Sequence, residues 1–210
     1  MKNTRAAGFT LIEILAVILI VGILAGILIT QLGGAREAAE SSTTKRLLQE
    51  LGIAIDGYQN EHGSYPRSSF TDEQGVSNDG ENVGVEALVV ALWSKGFEAG
   101  ELGDLADRLV NTDNDQSAVN LTDFDTRDLL EIPDDWGNPV AYIERRDYEG
   151  KGQRYVTFDS DTGKEQRSTP KAWKNATTGR FYRVNSYQLL SAGPDGLFGT
   201  EDDIPNFPKD

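Results

Sequence analysis

The hydrophobic positions of this chain fall into one long run followed by shorter, broken patterns. After a polar start, Met1 to Gly8 with Lys2 and Arg5, the residues from Phe9 to Ile29 are almost all apolar, and Glu13 is their only charge. A run of this length is enough to cross a bilayer as a helix. Polarity then rises, but helix formers continue through Ala35-Arg36-Glu37-Ala38-Ala39-Glu40. Leu47, Leu48, Leu51, Ile55 and Tyr58 follow at steps of three and four. That spacing makes one apolar stripe, the mark of a helix laid on a sheet. The pattern predicts one helix from Phe9 to about Asn60, transmembrane over 9–29 and amphipathic over 30–60, with a weak point at Gly33-Gly34.

Beyond the helix the pattern shortens. His62-Gly63-Ser64-Tyr65-Pro66 reads as a loop, and Thr71 to Gly84 is rich in Gly and Asp. Val85 to Trp93 and Leu102 to Val110 predict two short helices. Strand signals come late: Pro139 to Ile143, Arg154 to Phe158, Gly179 to Val184 and Tyr187 to Ser191. Strands that follow one another without helices between them imply antiparallel pairing. The predicted fold is α+β: a long N-terminal helix packed on a small antiparallel sheet, with residues 61–210 as one globular domain.

Charge and chemistry narrow the function. The chain has 210 residues and a net charge of −14. Such a surface repels nucleic acid and anionic lipid and attracts divalent cations. There is no cysteine, so no disulfide ties down any loop. There is one histidine, His62, beside a loop glycine, and neither a Gly-x-Ser-x-Gly, a Walker loop nor a His-Glu-x-x-His occurs. An enzyme is therefore not expected. Asp113 and Asp115 read as part of a solvated acidic loop, with a second cation site as the less common alternative. The C-terminal run from Ser191 to Ile204 carries Asp195, Glu201, Asp202 and Asp203 between glycines at 193, 196 and 199. Composition leaves it open between a solvated acidic turn and a site for Ca²⁺, which takes six to eight oxygens in loose geometry. Glu13 stands out most, because a carboxylate in hydrocarbon costs a few kcal/mol and marks a functional position.

The junction Gly8-Phe9-Thr10-Leu11-Ile12-Glu13, between a basic leader and an apolar run, resembles the class III signal of type IV pilins and type II secretion pseudopilins. The resemblance implies that a prepilin peptidase cuts after Gly8 and methylates Phe9, so that residues 1–8 are a leader. Loss of Lys2 and Arg5 would deepen the negative charge by two. It also implies that Glu13 pairs with the cationic amino terminus at Phe9 of a neighbouring subunit, which lowers the penalty either buried charge bears alone.

Ser191-Ala192-Gly193-Pro194-Asp195-Gly196 followed by Asp202-Asp203-Ile204 is similar to the calcium loop of the major pseudopilins. Carried over, Asp195 and Asp202 bind through side chains, and Ala192 and Thr200 carbonyls with an oxygen of Asp203 complete the shell. Asp135-Trp136-Gly137-Asn138-Pro139-Val140-Ala141-Tyr142 resembles a structural turn of the same family, and so does the segment with Tyr58, Gly63, Tyr65-Pro66 and Gly84 to Val89. The family's usual proline near the end of the apolar half is replaced by Thr30 and Gln31. Residues 70–84 and 96–130 read as insertions.

The resemblance implies a structural subunit of a type II secretion pseudopilus, anchored once in the inner membrane with its globular domain in the periplasm. Its implied partners are further copies of itself, minor pseudopilins, inner-membrane secretion components, the prepilin peptidase and the membrane, and its implied cofactor is calcium. The alternatives are a type IV pilin, a minor pseudopilin or, from another class, a monomeric membrane-anchored calcium- or substrate-binding module.

Overall fold

The computed structural model describes residues 9–71, 74–76, 80–94, 97 and 102–209, and of these the side chains of 28–33 and 103 fall outside the description. The leader at 1–8, including Gly8, lies outside the described residues. The chain forms two compact units, Met1–Ala39 and Glu40–Asp210.

Helix α1 runs from Leu11 to His62 without a break, so the expected weak point at Gly33-Gly34 is helical. In the first unit its apolar side chains stand open to the surroundings, from Phe9 (79 % exposed) and Leu11 to Ile27. A helix that is apolar all round seeks a membrane or other helices. Counted over the described residues alone, no helix is long and apolar enough to cross a membrane. The described apolar side chains end at Ile27, and Leu28 and Ile29 belong to the undescribed stretch.

In the second unit the predicted stripe is the buried face. Leu47, Leu48, Leu51, Ala54 and Ile55 are buried in one core with Val85, Leu88, Val89 and Leu92 of α2 (Val83–Leu92). The same core takes in Ala141 and Tyr142 of β1 (Ala141–Glu144) and Tyr187, Leu189 and Leu190 of β4 (Tyr187–Ser191). Gly52 lets that face approach: the Tyr187 hydroxyl, 3.4 Å from where a Cβ would stand, donates to the Gly52 carbonyl at 3.1 Å. Gly84 serves the same end in α2, where a Cβ would lie 2.4 Å from the Tyr142 carbonyl.

Instead of one sheet there are two among the described residues, both antiparallel. β1, β4 and β5 (Ile204–Pro205) form the first, with β4 in the middle. β2 (Tyr155–Phe158) and β3 (Glu165–Ser168) form the second. The expected strand at 179–184 is a turn. The Asn175 carbonyl receives Gly179 N–H, Asn175 N–H binds the Arg180 carbonyl, and Arg183 has a φ of 50°. Phe181 and Tyr182 then leave in different directions, to Tyr148 and Phe207. Of the expected helix at 102–110 only α3 (Gly103–Ala106) forms, because Val110 pairs with Glu131 instead. His62 ends α1 rather than lying in a loop, and its ring stacks on Tyr58 at 4.1 Å.

Candidate functional site

Two regions carry chemistry in the globular unit, and Glu13 carries it in the other. Glu13 is the third residue of α1, and Thr10 precedes the helix. Thr10 N–H and Oγ1 donate to Glu13 Oε2 at 2.8 and 2.7 Å, and Glu13 N–H donates back to Thr10 Oγ1 at 3.3 Å. This is a capping box, which satisfies two backbone donors at the helix start. Glu13 therefore has a local structural role in the single chain, a use the sequence reading passed over.

The first region is the C-terminal loop. Asp134 positions its start. This buried carboxylate accepts Trp136 N–H at 3.0 Å and Asn138 N–H at 2.9 Å on Oδ1, and the Ser191 hydroxyl at 2.6 Å on Oδ2. Ser191 Oγ in turn accepts Gly193 N–H at 3.1 Å. Asp135 N–H donates to Thr44 Oγ1 and Trp136 Nε1 to Glu40 Oε2, which ties the same turn to α1. Further on, Thr157 donates to the Gly196 carbonyl, Gln166 Nε2 to the Asp195 carbonyl at 2.7 Å, and Phe198 N–H to Ser168 Oγ at 3.2 Å. The polar side chains of β3 thus hold the loop, although nothing in their sequence pattern marks them.

Within the loop the expected ligands converge without meeting closely. A Cβ on Gly193 (φ 65°) would stand 2.8 Å from the Asp202 carbonyl. Asp202 Oδ2 accepts Asp195 N–H at 3.3 Å, Asp195 Oδ1 accepts Leu197 N–H at 2.7 Å, and Asp203 Oδ2 accepts Gly199 N–H at 2.7 Å. Each carboxylate is turned to an N–H of its own loop. Thr200, expected to offer its carbonyl, uses its hydroxyl on Asp202 and on the Leu197 carbonyl. Ala192 is buried at the loop's entrance. Asp203 is buried too, and burial raises its carboxyl to about 6. The donor set is entirely hard oxygen, and a buried aspartate is ready for a cation, so the residues fit Ca²⁺ chemically.

The second region corrects the reading of Asp113 as part of a solvated loop. Carboxylate oxygens of Glu86, Asp113 and Glu131 all lie within 4.8 Å of one another. Glu86 and Glu131 are fully buried. Glu86 is in the first turn of α2, Asp113 follows the Val110–Glu131 bridge, and Glu131 lies across that bridge. The buried Asn82 amide donates to Thr112 Oγ1, Asp113 Oδ2 and Glu131 Oε1 at 2.9, 3.0 and 2.8 Å. Burial, and then the charge of Asp113, raise Glu131 to about 8. The sequence held a signal for this: a lone glutamate within each of two apolar runs, Val83–Leu92 and Leu129-Leu130-Glu131-Ile132. It is the same signal that singled out Glu13.

Comparison with known proteins adds the family. Residues 3–29 match the family described as the prokaryotic N-terminal methylation motif. The chain is 28% identical over 203 residues to the type II secretion system core protein G of Escherichia coli strain K12, covering 97% of this chain and 92% of that protein. It is 37% identical over 76 residues to the core protein G of Aeromonas hydrophila, and 39% identical over 72 residues to that of Klebsiella pneumoniae. These two matches cover 36% and 34% of this chain and 50% and 49% of the relatives. No solved structure matches the chain.

By its N-terminal methylation motif and its whole-length similarity to a core protein G, the chain resembles the type IV pilin-like proteins, a class that is structural rather than enzymatic, and the motif implies anchoring in the inner membrane. Within that class it is like the major, G-type pseudopilins of type II secretion systems.

Burial raises the Asp134 carboxyl to about 6 from an ordinary 3.8. A carboxyl raised on folding stabilises fully below its unfolded value, and that stability is lost as pH rises through the folded one. The stability of the parent chain relative to Asp134→Asn should therefore fall between pH 4 and pH 7, by on the order of 2 kcal/mol. Thermal melts of the two full-length chains in detergent with chelator check this, and a difference that stays constant over that range contradicts it.

Proposed function

We propose that this protein is the structural subunit of a type II secretion pseudopilus. It is cleaved after Gly8, methylated at Phe9 and assembled through its apolar helix into a filament on the periplasmic side of the inner membrane, with minor pseudopilins and inner-membrane secretion components as partners. The observation that carries this is the match of residues 3–29 to the methylation motif, joined to whole-length similarity to a core protein G. The exposed apolar surface of α1 over residues 14–27 supports it, since a filament or bilayer is what covers such a surface. In the filament, Glu13 would exchange its capping contact for the cationic terminus at Phe9 of the next subunit, two charges that each lower the other's desolvation penalty.

The C-terminal loop would be closed by one Ca²⁺ held by Asp195, Asp202 and Asp203, with the carbonyls of Ala192 and Thr200. Bound metal supplies what a disulfide supplies elsewhere, a closure that only the folded chain can make. The support is the turned-in Gly193 and the buried Asp203.

Glu13→Gln separates the two roles of Glu13, because glutamine also completes a capping box but carries no charge. The variant should insert and fold normally yet yield few filaments, as scored by crosslinking of membrane-embedded subunits. Normal yield would leave Glu13 with capping alone and favour a simple anchor.

For the loop, Ca²⁺ at a hundredfold excess over Kd should stabilise the full-length chain by about 2.7 kcal/mol. Asp202→Ala should remove that gain and Glu201→Ala should spare most of it. Equal gains in thermal melts of all three chains would take calcium away from this loop.

A further inference from the structure

We propose that Glu86, Asp113 and Glu131, with Asn111 and Asp115 of the same loop, form a second Ca²⁺ site that staples the 111–131 segment to the start of α2. The three carboxylates come from three parts of the chain and gather their oxygens within 4.8 Å, with Glu86 and Glu131 fully shut off from water. Glu131 is hydrogen-bonded by the neutral groups Asn82 Nδ2, Thr112 N–H and Thr112 Oγ1, none of which offsets its charge. Buried carboxylates are as a rule paired with a cation or bound to a metal.

An independent sign comes from a neutral group. The amide oxygen of Asn111 is closed off from solvent and accepts no hydrogen bond, while its own nitrogen is fixed on the Asp115 carbonyl at 2.9 Å. That contact curls residues 111–115 into one loop, which Thr112 N–H joins to Glu131 Oε2 at 2.9 Å. A proton shared among the carboxylates would relieve part of the charge and still leave the Asn111 amide oxygen without a donor. A divalent ion serves carboxylate and amide oxygens together.

The donors identify the ion. They are all oxygen, without nitrogen or sulfur for zinc. They sit on a loop and a helix end, where Ca²⁺ tolerates irregular geometry and Mg²⁺ demands a near-ideal octahedron. Asn111, Asp113 and Asp115 also stand at alternate positions, the spacing of the first three side-chain ligands of a helix-loop-helix calcium loop. Gln116 occupies the place of that loop's glycine, so the turn is built differently.

The test counts bound ions. Ca²⁺ is titrated by calorimetry into the full-length protein in detergent, in the parent and in an Asp202→Ala background that disables the C-terminal loop. Asp113→Asn and, separately, Glu131→Gln should each bind one Ca²⁺ fewer than the chain they were made in, and the loss should appear in both backgrounds. In chelator, Asp113→Asn should melt no lower than the parent, since it removes one of three crowded carboxylate charges, and its upward shift with Ca²⁺ should be smaller. An ion count unchanged by both substitutions in both backgrounds overturns the site. Because the loop variant is scored separately, failure at Asp202 and failure at Asp113 are told apart.

Discussion

The globular unit depends on a strand with no exposed side. All five residues of β4, Tyr187 to Ser191, are buried. One edge pairs with β1 and the other with β5, and its Tyr187, Leu189 and Leu190 join the core with the α1 stripe. Its polar members are buried as well, and each has a fixed task. Gln188 holds Trp173 through both N–H and carbonyl and reaches the Tyr182 carbonyl. Ser191 joins Asp134 to the C-terminal loop. Buried polar groups that are fully bonded specify one arrangement, because a shift in register would orphan them at a cost of about 1–3 kcal/mol each. The position of the acidic loop follows from the position of this strand.

In a chain without cysteine, buried carboxylates share with neutral hydrogen bonds the task of fastening the loops. The carboxylates are not spread evenly over the surface: Asp134, Glu86, Glu131 and Asp203 are all buried. Asp134 is satisfied by two backbone N–H groups and a hydroxyl, so it acts as a joint between a turn and a strand end. The other three sit where carboxylates crowd one another, and folding brings them together against their repulsion. On the proposed sites a divalent cation would turn that repulsion into attraction, and the fold would then gain most where covalent closure is absent. The periplasm, where the proposed topology puts this unit, would supply the ion from outside the cytoplasm.

Much of this could be read from the residues, and the failures have common causes. The α1 stripe was legible because Leu47, Leu48, Leu51 and Ile55 keep helical spacing and all face one core. β2 and β4 were legible from their apolar content. β3 was not, because Glu165-Gln166-Arg167-Ser168 pairs through its backbone at an edge and exposes alternate side chains, so burial leaves no mark on its sequence. The aromatic run at 179–184 misled for the opposite reason: Phe181 and Tyr182 are held by separate ring partners across a turn, and aromatic content alone does not make a strand. Glu86 and Glu131 escaped notice because they lie far apart in sequence and only tertiary packing unites them with Asp113.

The central claim is that this chain is processed and used as a pilin-like subunit, and the mature amino terminus tests it most directly. Mass spectrometry of the terminal peptide of the protein purified from inner membranes should find a chain that begins at Phe9 and bears a methyl group on its α-amine. A mature chain that begins at Met1, or one cleaved beyond the apolar run, would contradict the account.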